Sequence, residues 1–221
     1  DVKRLLTELK NEGIDGLIID FRDNGGGSLE EARLLSGLFL KSGPIVQVRY
    51  KNQILREYDD DPQIFYTGPL IVLINRMSAS ASEIFAGAIK DYNRGVIVGT
   101  RSFGKGTVQH LQPLAGGKLK LTTAKFYRVS GESTQHKGIL PDLNYPQFYR
   151  IEDTGESSLT GALPWDTIFK TFYDAYRPMT LLHESLKAEY QKRLTVDPEL
   201  KFLSKRIELS ASINELTKIS L

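Results

Sequence analysis

Residues 16–27 read Gly16-Leu17-Ile18-Ile19-Asp20-Phe21-Arg22-Asp23-Asn24-Gly25-Gly26-Gly27. The apolar run at the start of this stretch predicts a buried strand, and the glycines after it predict a turn. An amphipathic pattern over about Leu29 to Leu40 then predicts a helix. Upstream, apolar residues at helical spacing predict a first helix over residues 2–10, with Gly13 supplying its left-handed end. The stretch therefore forms a strand, glycine turn and helix unit.

A second unit of the same kind follows Gly68-Pro69. The wholly apolar run Leu70-Ile71-Val72-Leu73-Ile74 predicts a central strand. After it come Ser78-Ala79-Ser80-Ala81-Ser82-Glu83 and a helix. Strands alternating with helices predict an α/β core. Three further strands are predicted, at Ile45 to Tyr50, Ile54 to Tyr58 and Val96 to Val98. The helix after Ser80 has a predicted buried face of Ile84, Phe85, Ala88 and Ile89. Residues 118–129 alternate, with Leu119, Leu121 and Phe126 against Lys118, Lys120 and Lys125, which predicts a β-ribbon laid on the core.

The composition changes around Glu152 to Gly161, which is polar and rich in Ser, Thr and Gly. This stretch predicts a linker or surface loop. Beyond Leu163-Pro164-Trp165 the pattern is helical, interrupted by Pro178 and Pro198. We therefore predict a catalytic core over residues 1–155 and a helical C-terminal extension over residues 156–221.

Composition and charge exclude several classes of function. The chain has 221 residues, 40% hydrophobic and 25% charged, which is typical of a globular protein. A net charge of +2, with basic and acidic residues mixed throughout, predicts neither a nucleic-acid partner nor an anionic membrane surface. Cysteine is absent and the three histidines stand far apart, so no metal site is expected.

Ser80 lies where an apolar strand gives way to a helix, and open α/β sheets build their sites at the carboxyl ends of strands. A serine nucleophile needs a base that removes its proton during attack. Lys105 stands between Gly104 and Gly106, and serine with lysine is a known variant of the catalytic triad. A lysine acts as a base only when its pKa is lowered enough for the amine to be neutral. Gln109 could orient that amine by a hydrogen bond.

Attack by Ser80 also requires donors for the oxyanion. Backbone N–H groups at a glycine turn or at a helix N-terminus can serve. We expect one such donor from Ala81. The other would come from Gly26 or Gly27, if the two apolar strands are neighbours in the sheet.

Other interpretations of these residues remain open. Ser80-Ala81-Ser82-Glu83 also fits a capping box at a helix N-terminus. Lys105 could be a solvated lysine in a turn, and His110 could be the base in its place. The glycine turn suggests a phosphate-binding loop, but Glu30 occupies the place of the third glycine of a dinucleotide-binding fingerprint.

Three segments, taken in order, resemble the C-terminal processing peptidases, and most closely the tail-specific proteases of the bacterial periplasm. They are residues 16–27, the segment Ser78-Ala79-Ser80-Ala81-Ser82-Glu83-Ile84-Phe85-Ala86 and the segment Phe103-Gly104-Lys105-Gly106-Thr107-Val108-Gln109. Similarity continues through residues 125–129, 133–135, 137–142 and 162–166. It covers about residues 1 to 170, and the rest only as a helical tail.

The resemblance implies that Ser80 is the nucleophile, Lys105 its base and Gln109 a supporting residue. The spacing of 25 residues between Ser80 and Lys105 is similar to that in the family, which selects Ser80 over Ser78 and Ser82. It also implies a crotonase-like (ClpP/crotonase-type) α/β core, with the β-ribbon and the C-terminal helices added to it. Further implications are a cofactor-free endopeptidase, substrates chosen through an apolar C-terminal tail, and a periplasmic location.

Members of this family carry a PDZ domain upstream of the segment that starts here, and it binds the substrate's tail as an added strand. The first strands of the core are expected upstream as well.

Two rival functions remain open. One is a non-catalytic binding or assembly module that keeps the protease scaffold, and the other is acyl-CoA chemistry on a crotonase-like core.

Overall fold

The computed structural model describes residues 1–59, 61, 63–147, 153–176 and 178–215. Within them the chain is a mixed α/β fold, as predicted. The α-helices are α1 (Val2–Asn11), α2 (Leu29–Gly37), α3 (Ala81–Asp91), α4 (Thr180–Val196) and α5 (Pro198–Glu215). The strands are β1 (Leu17–Asp20), β2 (Pro44–Arg49), β3 (Ile54–Tyr58), β4 (Leu70–Ile74), β5 (Val96–Gly99), β6 (Thr107–Leu114), β7 (Gly117–Tyr127) and β8 (Leu143–Asn144).

One sheet is parallel and has the strand order β1-β4-β5-β8. The prediction of a central strand at Leu70–Ile74 is confirmed, because β4 lies between β1 and β5. The prediction that β1 is buried is wrong for one of its faces, since Ile18 is 62% exposed. Leu17 and Ile19 pack against the core on one face of β1, and Ile18 points to the opposite face. This sheet places the carboxyl ends of β1 and β4 side by side.

The other sheet is antiparallel, with the order β3-β2-β7-β6. It contains the predicted β-ribbon, formed by β6 and β7. Phe126 is buried, but Leu119 and Leu121 are 46% and 50% exposed. The ribbon is therefore not laid on the core along its length. Its inner end is buried and its outer end projects. The sequence could not predict this difference, because alternation identifies a face of a strand but not the segment that covers it.

Lys125, which the alternation assigned to the polar face of the ribbon, is buried. Its Nζ donates to Pro164 O at 2.7 Å and also pairs with Asp166. Asp166 accepts a further bond from Arg49 at 2.6 Å. A buried lysine is tolerated here because a carboxylate and a carbonyl replace its water shell.

Residues 153–176 are non-helical apart from a 3₁₀ turn at Glu156–Ser158. The helical pattern predicted beyond Trp165 therefore begins later, at Thr180. Ile168 N–H donates to Gly131 O at 2.9 Å and Thr171 N–H to Val129 O at 3.0 Å, so this segment runs along the core. Glu152, where the predicted linker starts, lies outside the described residues. The division at residues 155 and 156 stays a prediction.

The last two helices extend from the core with most of their surface exposed. α4 packs on β8 through Tyr190, whose ring centroid lies 4.8 Å from that of Tyr145. Across the part of the chain that the structure describes, no helix combines the length and the apolar character needed to span a bilayer.

Candidate active site

Ser80 sits in the connection between β4 and α3, directly before the first residue of α3. Its backbone has φ 57° and ψ −113°. A non-glycine residue at positive φ is strained, at a cost of about 1–3 kcal/mol, and persists only where its surroundings impose it. Ser80 thus occupies a sharp, strained turn at the end of a central strand, as a nucleophile at a strand end would.

The glycine turn after β1 lies directly against Ser80. Gly26 has φ +96°, and a Cβ there would come within 2.5 Å of Ala79 O and 2.9 Å of Ala81 N. Only glycine fits this position without displacing backbone. The parallel pairing of β1 with β4 brings together Gly26, Ser80 and Ala81, so the condition stated in the sequence analysis, that the two apolar strands are neighbours, is met.

Asn24 locks the glycine turn to the segment that carries Ser80. Its carbonyl oxygen accepts bonds from Ala79 N–H at 3.0 Å and Ser82 Oγ at 3.1 Å. Its side-chain Oδ1 accepts from Gly26 N–H at 3.0 Å. The Gly26 N–H is therefore already engaged, which favours Gly27 as the donor that works with Ala81. Sequence reasoning missed Asn24, although Asn before glycine is a signal for a turn of this type.

The serines on either side of Ser80 have structural partners. Ser78 Oγ donates to Phe21 O at 2.7 Å, and Ser82 Oγ donates to Asn24. Both side chains are buried, whereas Ser80 is half-buried and lines a cavity. Of these three serines, Ser80 is the one whose side chain lines the cavity.

The segment that carries Lys105 is held by a full set of backbone bonds. Every N–H group from residue 102 to residue 106 has a partner, so Lys105 is presented by a rigid loop rather than by a solvated turn. The bonds are Ser102 N–H to Ile139 O (3.1 Å), Phe103 N–H to Ser78 O (2.9 Å), Gly104 N–H to Glu83 Oε1 (2.7 Å), Lys105 N–H to Glu83 Oε2 (2.9 Å) and Gly106 N–H to Gln135 Oε1 (2.8 Å).

Glu83 joins the two halves of the site. Besides Gly104 and Lys105, its carboxylate accepts Ser80 N–H at 2.8 Å and Ser102 Oγ at 2.6 Å. The capping box predicted at Ser80-Ala81-Ser82-Glu83 is present, and the bond to Ser80 N–H is its glutamate half. Burial raises the pKa of Glu83 to about 7, although the four hydrogen bonds oppose that rise. Sequence reasoning assigned Glu83 only to the helix cap and missed its contacts with the Lys105 loop.

Ser80 and Lys105 line the same cavity, which has a volume of about 640 Å³. Burial lowers the pKa of the Lys105 amine from its ordinary value, and the nearby positive charge of Lys120 lowers it further. Gly26, Gly27 and Ala81 also line this cavity. A lysine with a lowered pKa that shares a cavity with a strained serine is an arrangement suited to proton abstraction from that serine.

Gln109 and His110 line the cavity as well. The Gln109 amide donates to Thr122 Oγ1 at 3.2 Å, a partner on the neighbouring strand of the ribbon. The proposed role of Gln109 in orienting Lys105 therefore stays a prediction. Within the described residues, no group of three or more acidic or histidine side chains is arranged to hold a metal ion.

Comparison with known proteins matches both parts of the chain to sequence families. Residues 1–145 match Peptidase family S41, and residues 149–221 match the C-terminal domain of tail-specific protease. The chain is 43% identical to the tail-specific protease of Haemophilus influenzae over 222 residues, which cover 95% of this chain and 32% of that protein. It is 41% identical to the carboxy-terminal-processing protease of Bartonella bacilliformis, over 72% of this chain and 39% of that protein. The chain thus spans about a third of the length of these relatives.

A solved structure is similar in fold. The photosystem II D1 C-terminal processing protease superposes with a TM-score of 0.60 and 34% identity, over 68% of this chain and 40% of that one. Fold and site thus both agree with a protease core.

The chain belongs to peptidase family S41, a family of serine-type proteases. More narrowly, its relatives are the C-terminal processing and tail-specific proteases.

Proposed function

We propose that this chain is the catalytic part of a tail-specific endopeptidase in which Ser80 is the nucleophile and Lys105 is the general base. The observation that carries the proposal is the shared cavity. It brings together a serine held at positive φ and a half-buried lysine whose pKa is lowered by burial. Ser80 also belongs to a capping box, but a helix cap does not require a positive φ, and a solvated turn does not lower the pKa of a lysine by burial.

In the proposed reaction the neutral Lys105 amine takes the proton from Ser80 Oγ as that oxygen bonds to the peptide carbonyl carbon. The oxyanion accepts hydrogen bonds from Gly27 N–H, or Gly26 N–H, and from Ala81 N–H. Lys105 returns the proton to the leaving amine as the C–N bond breaks. Water, deprotonated by Lys105, then attacks the acyl-enzyme and releases Ser80 and the new carboxyl terminus. No cofactor or metal takes part in these steps.

We further propose, from the family, that substrates are proteins with apolar C-terminal tails and that a PDZ domain in the full-length protein binds the tail as an added strand. A periplasmic location is part of the same proposal. Gln109 would support Lys105 after a rotation from Thr122 towards the amine.

A serine-directed fluorophosphonate probe tests the nucleophile without knowledge of the substrate. In the full-length protein we expect the probe to modify Ser80 Oγ, with loss of fluoride, because an activated serine attacks phosphorus as it attacks a carbonyl carbon. Mass spectrometry of the labelled peptide identifies the residue. The neighbours Ser78 and Ser82 serve as internal controls, because their hydroxyls are committed to structural hydrogen bonds.

Labelling of Ser78 or Ser82 in place of Ser80 would show that Ser80 is not the nucleophile. An intact protein that reacts with no such probe would favour a non-catalytic binding module built on the protease scaffold.

A further inference from the structure

We propose that Lys120 and Glu156, neither of which is placed at the reacting atoms, are opposed charges that act through Lys105 and set the pH at which the site becomes active. Lys120 comes from the β-ribbon and Glu156 from the 3₁₀ turn after the peptidase match. The inference rests on the function proposed above and assigns two positioning residues to it.

Glu156 is held against the loop that carries Lys105 by its backbone and by its side chain. Its N–H donates to Phe103 O at 3.1 Å. Its Oε1 accepts a bond from Gln135 Nε2 at 3.0 Å, and Gln135 Oε1 accepts Gly106 N–H at 2.8 Å. Glu156 therefore contacts the loop two residues before Lys105 directly and, through Gln135, the residue after it. Glu156 is only 7% exposed, so its charge acts where little water screens it.

Lys120 lies beside the same site, on the β-ribbon. It lies on β7, pairs with Leu111 of β6, and lines the cavity with Lys105. Lys118 lies two residues earlier on the same face of β7 and pairs with Pro113, further out along the ribbon. Because Lys118 is not part of the cavity wall, it provides a matched control for the charge of Lys120.

The two charges act on the Lys105 amine in opposite directions. The ammonium of Lys120 lowers the pKa of Lys105, in addition to the larger effect of burial, and the carboxylate of Glu156 raises it. Glu83 also raises it from α3. The cavity wall carries three further titratable groups, which are His110 on β6, Glu30 on α2 and Glu57 on β3.

Glu83 titrates near neutral pH and contacts the loop that carries Lys105. The acid limb of the activity profile therefore contains the titration of Glu83 as well as that of Lys105. Removal of a positive charge stabilises the protonated form of either group, and removal of a negative charge stabilises the deprotonated form. The direction of the expected shift is therefore the same whichever group dominates the limb.

The experiment measures the rate of fluorophosphonate labelling of Ser80 in the full-length protein across a pH series that spans the acid limb. We expect Glu156→Gln, which keeps an oxygen for Gln135, to move the limb to lower pH and to label faster than wild type below its midpoint. We expect Lys120→Met to move the limb to higher pH and to label more slowly there. We expect Lys118→Met to leave the limb at its wild-type position. Lys120→Arg, which keeps the positive charge, should also have its limb at the wild-type position.

Ionic strength separates the two charges. Lys120 is exposed, so added salt should shrink the shift caused by Lys120→Met, since the screening length is about 10 Å at 0.1 M salt. The shift caused by the buried Glu156 should persist.

Limbs that coincide with wild type in both variants, with Ser80 still labelled, would overturn this inference and leave the proposed nucleophile intact. Shifts in the same direction would overturn it as well. Absence of Ser80 labelling in the wild type would overturn both. Where Glu156→Gln fails to fold, the exposed Lys120→Met variant decides the outcome alone.

Discussion

Replacing Ser80 by Ala, or Lys105 by Met, is expected to reduce hydrolysis of a protein with an apolar C-terminal tail by about 10⁴-fold or more, because each change removes one partner of the proton transfer. The double variant should be no slower than either single variant, since the two groups act as a unit. Initial rates of substrate loss measure these effects. If the fold losses of the two single variants multiplied in the double variant, Ser80 and Lys105 would not act in the same step.

The fold should survive both changes. Alanine keeps the Cβ of Ser80 and so meets the same backbone restriction at positive φ, and methionine fills much of the space of the half-buried Lys105 stem. Circular dichroism and thermal unfolding check this point. Ser42→Ala and Lys118→Met provide matched controls at exposed positions and should keep wild-type rates. Wild-type hydrolysis by Ser80→Ala would reject the proposed nucleophile.

The parts of the site that sequence predicted are those encoded locally. Glycine after an apolar strand predicts a tight turn, and a serine between a strand and a helix predicts a side chain at the edge of the sheet. The parallel pairing of β1 with β4 then brings Gly26 against Ser80 and Ala81. Alternation of strands and helices predicted the α/β class, but the pairing of these two strands was only a condition in the sequence analysis, and the structure supplies it.

The parts that sequence did not predict depend on contacts between distant segments. Glu83 fits a helix cap, and only the folded chain shows that its carboxylate also accepts bonds from a loop about twenty residues away. Lys125 fits the polar side of a ribbon, and its burial depends on Asp166, which lies 41 residues further along the chain. Ile18 fits a buried strand, but it lies on the face of β1 that points away from the core and is 62% exposed. A local pattern fixes the spacing of side chains and not the segment that covers them.

Glu83→Gln is expected to reduce hydrolysis by about a hundredfold or more while leaving both proposed catalytic residues in place. Three of the four partners of Glu83 are backbone N–H groups, which only donate, and the nitrogen of a glutamine amide cannot accept their bonds. In one orientation that nitrogen faces the N–H groups of Ser80 and Lys105, and in the other it faces Gly104 N–H. Either clash shifts the nucleophile or the base, and displacements of about 1 Å cost rates of this order.

The pH dependence of stability gives Glu83→Gln a second readout. Burial raises the pKa of Glu83 from its ordinary value of 4.5 to about 7 in the folded chain. Between these values the unfolded chain ionises while the folded one stays protonated, so the contribution of Glu83 to stability is complete at low pH and declines as pH rises to about 7. At about 1.4 kcal/mol for each pH unit, the decline amounts to about 3 kcal/mol.

Urea unfolding of wild type and variant at a series of pH values measures this contribution as the difference between their free energies of unfolding. The difference should decrease from pH 4.5 to about pH 7, because glutamine does not titrate. Glu31→Gln is the matched control, since Glu31 is the third residue of α2 as Glu83 is of α3, but it is exposed. Its rate should equal that of wild type and its stability should change by no more than about 0.5 kcal/mol. A Glu83→Gln variant with wild-type hydrolysis and a pH-independent stability difference would show that the carboxylate caps a helix and does not hold the Lys105 loop against Ser80.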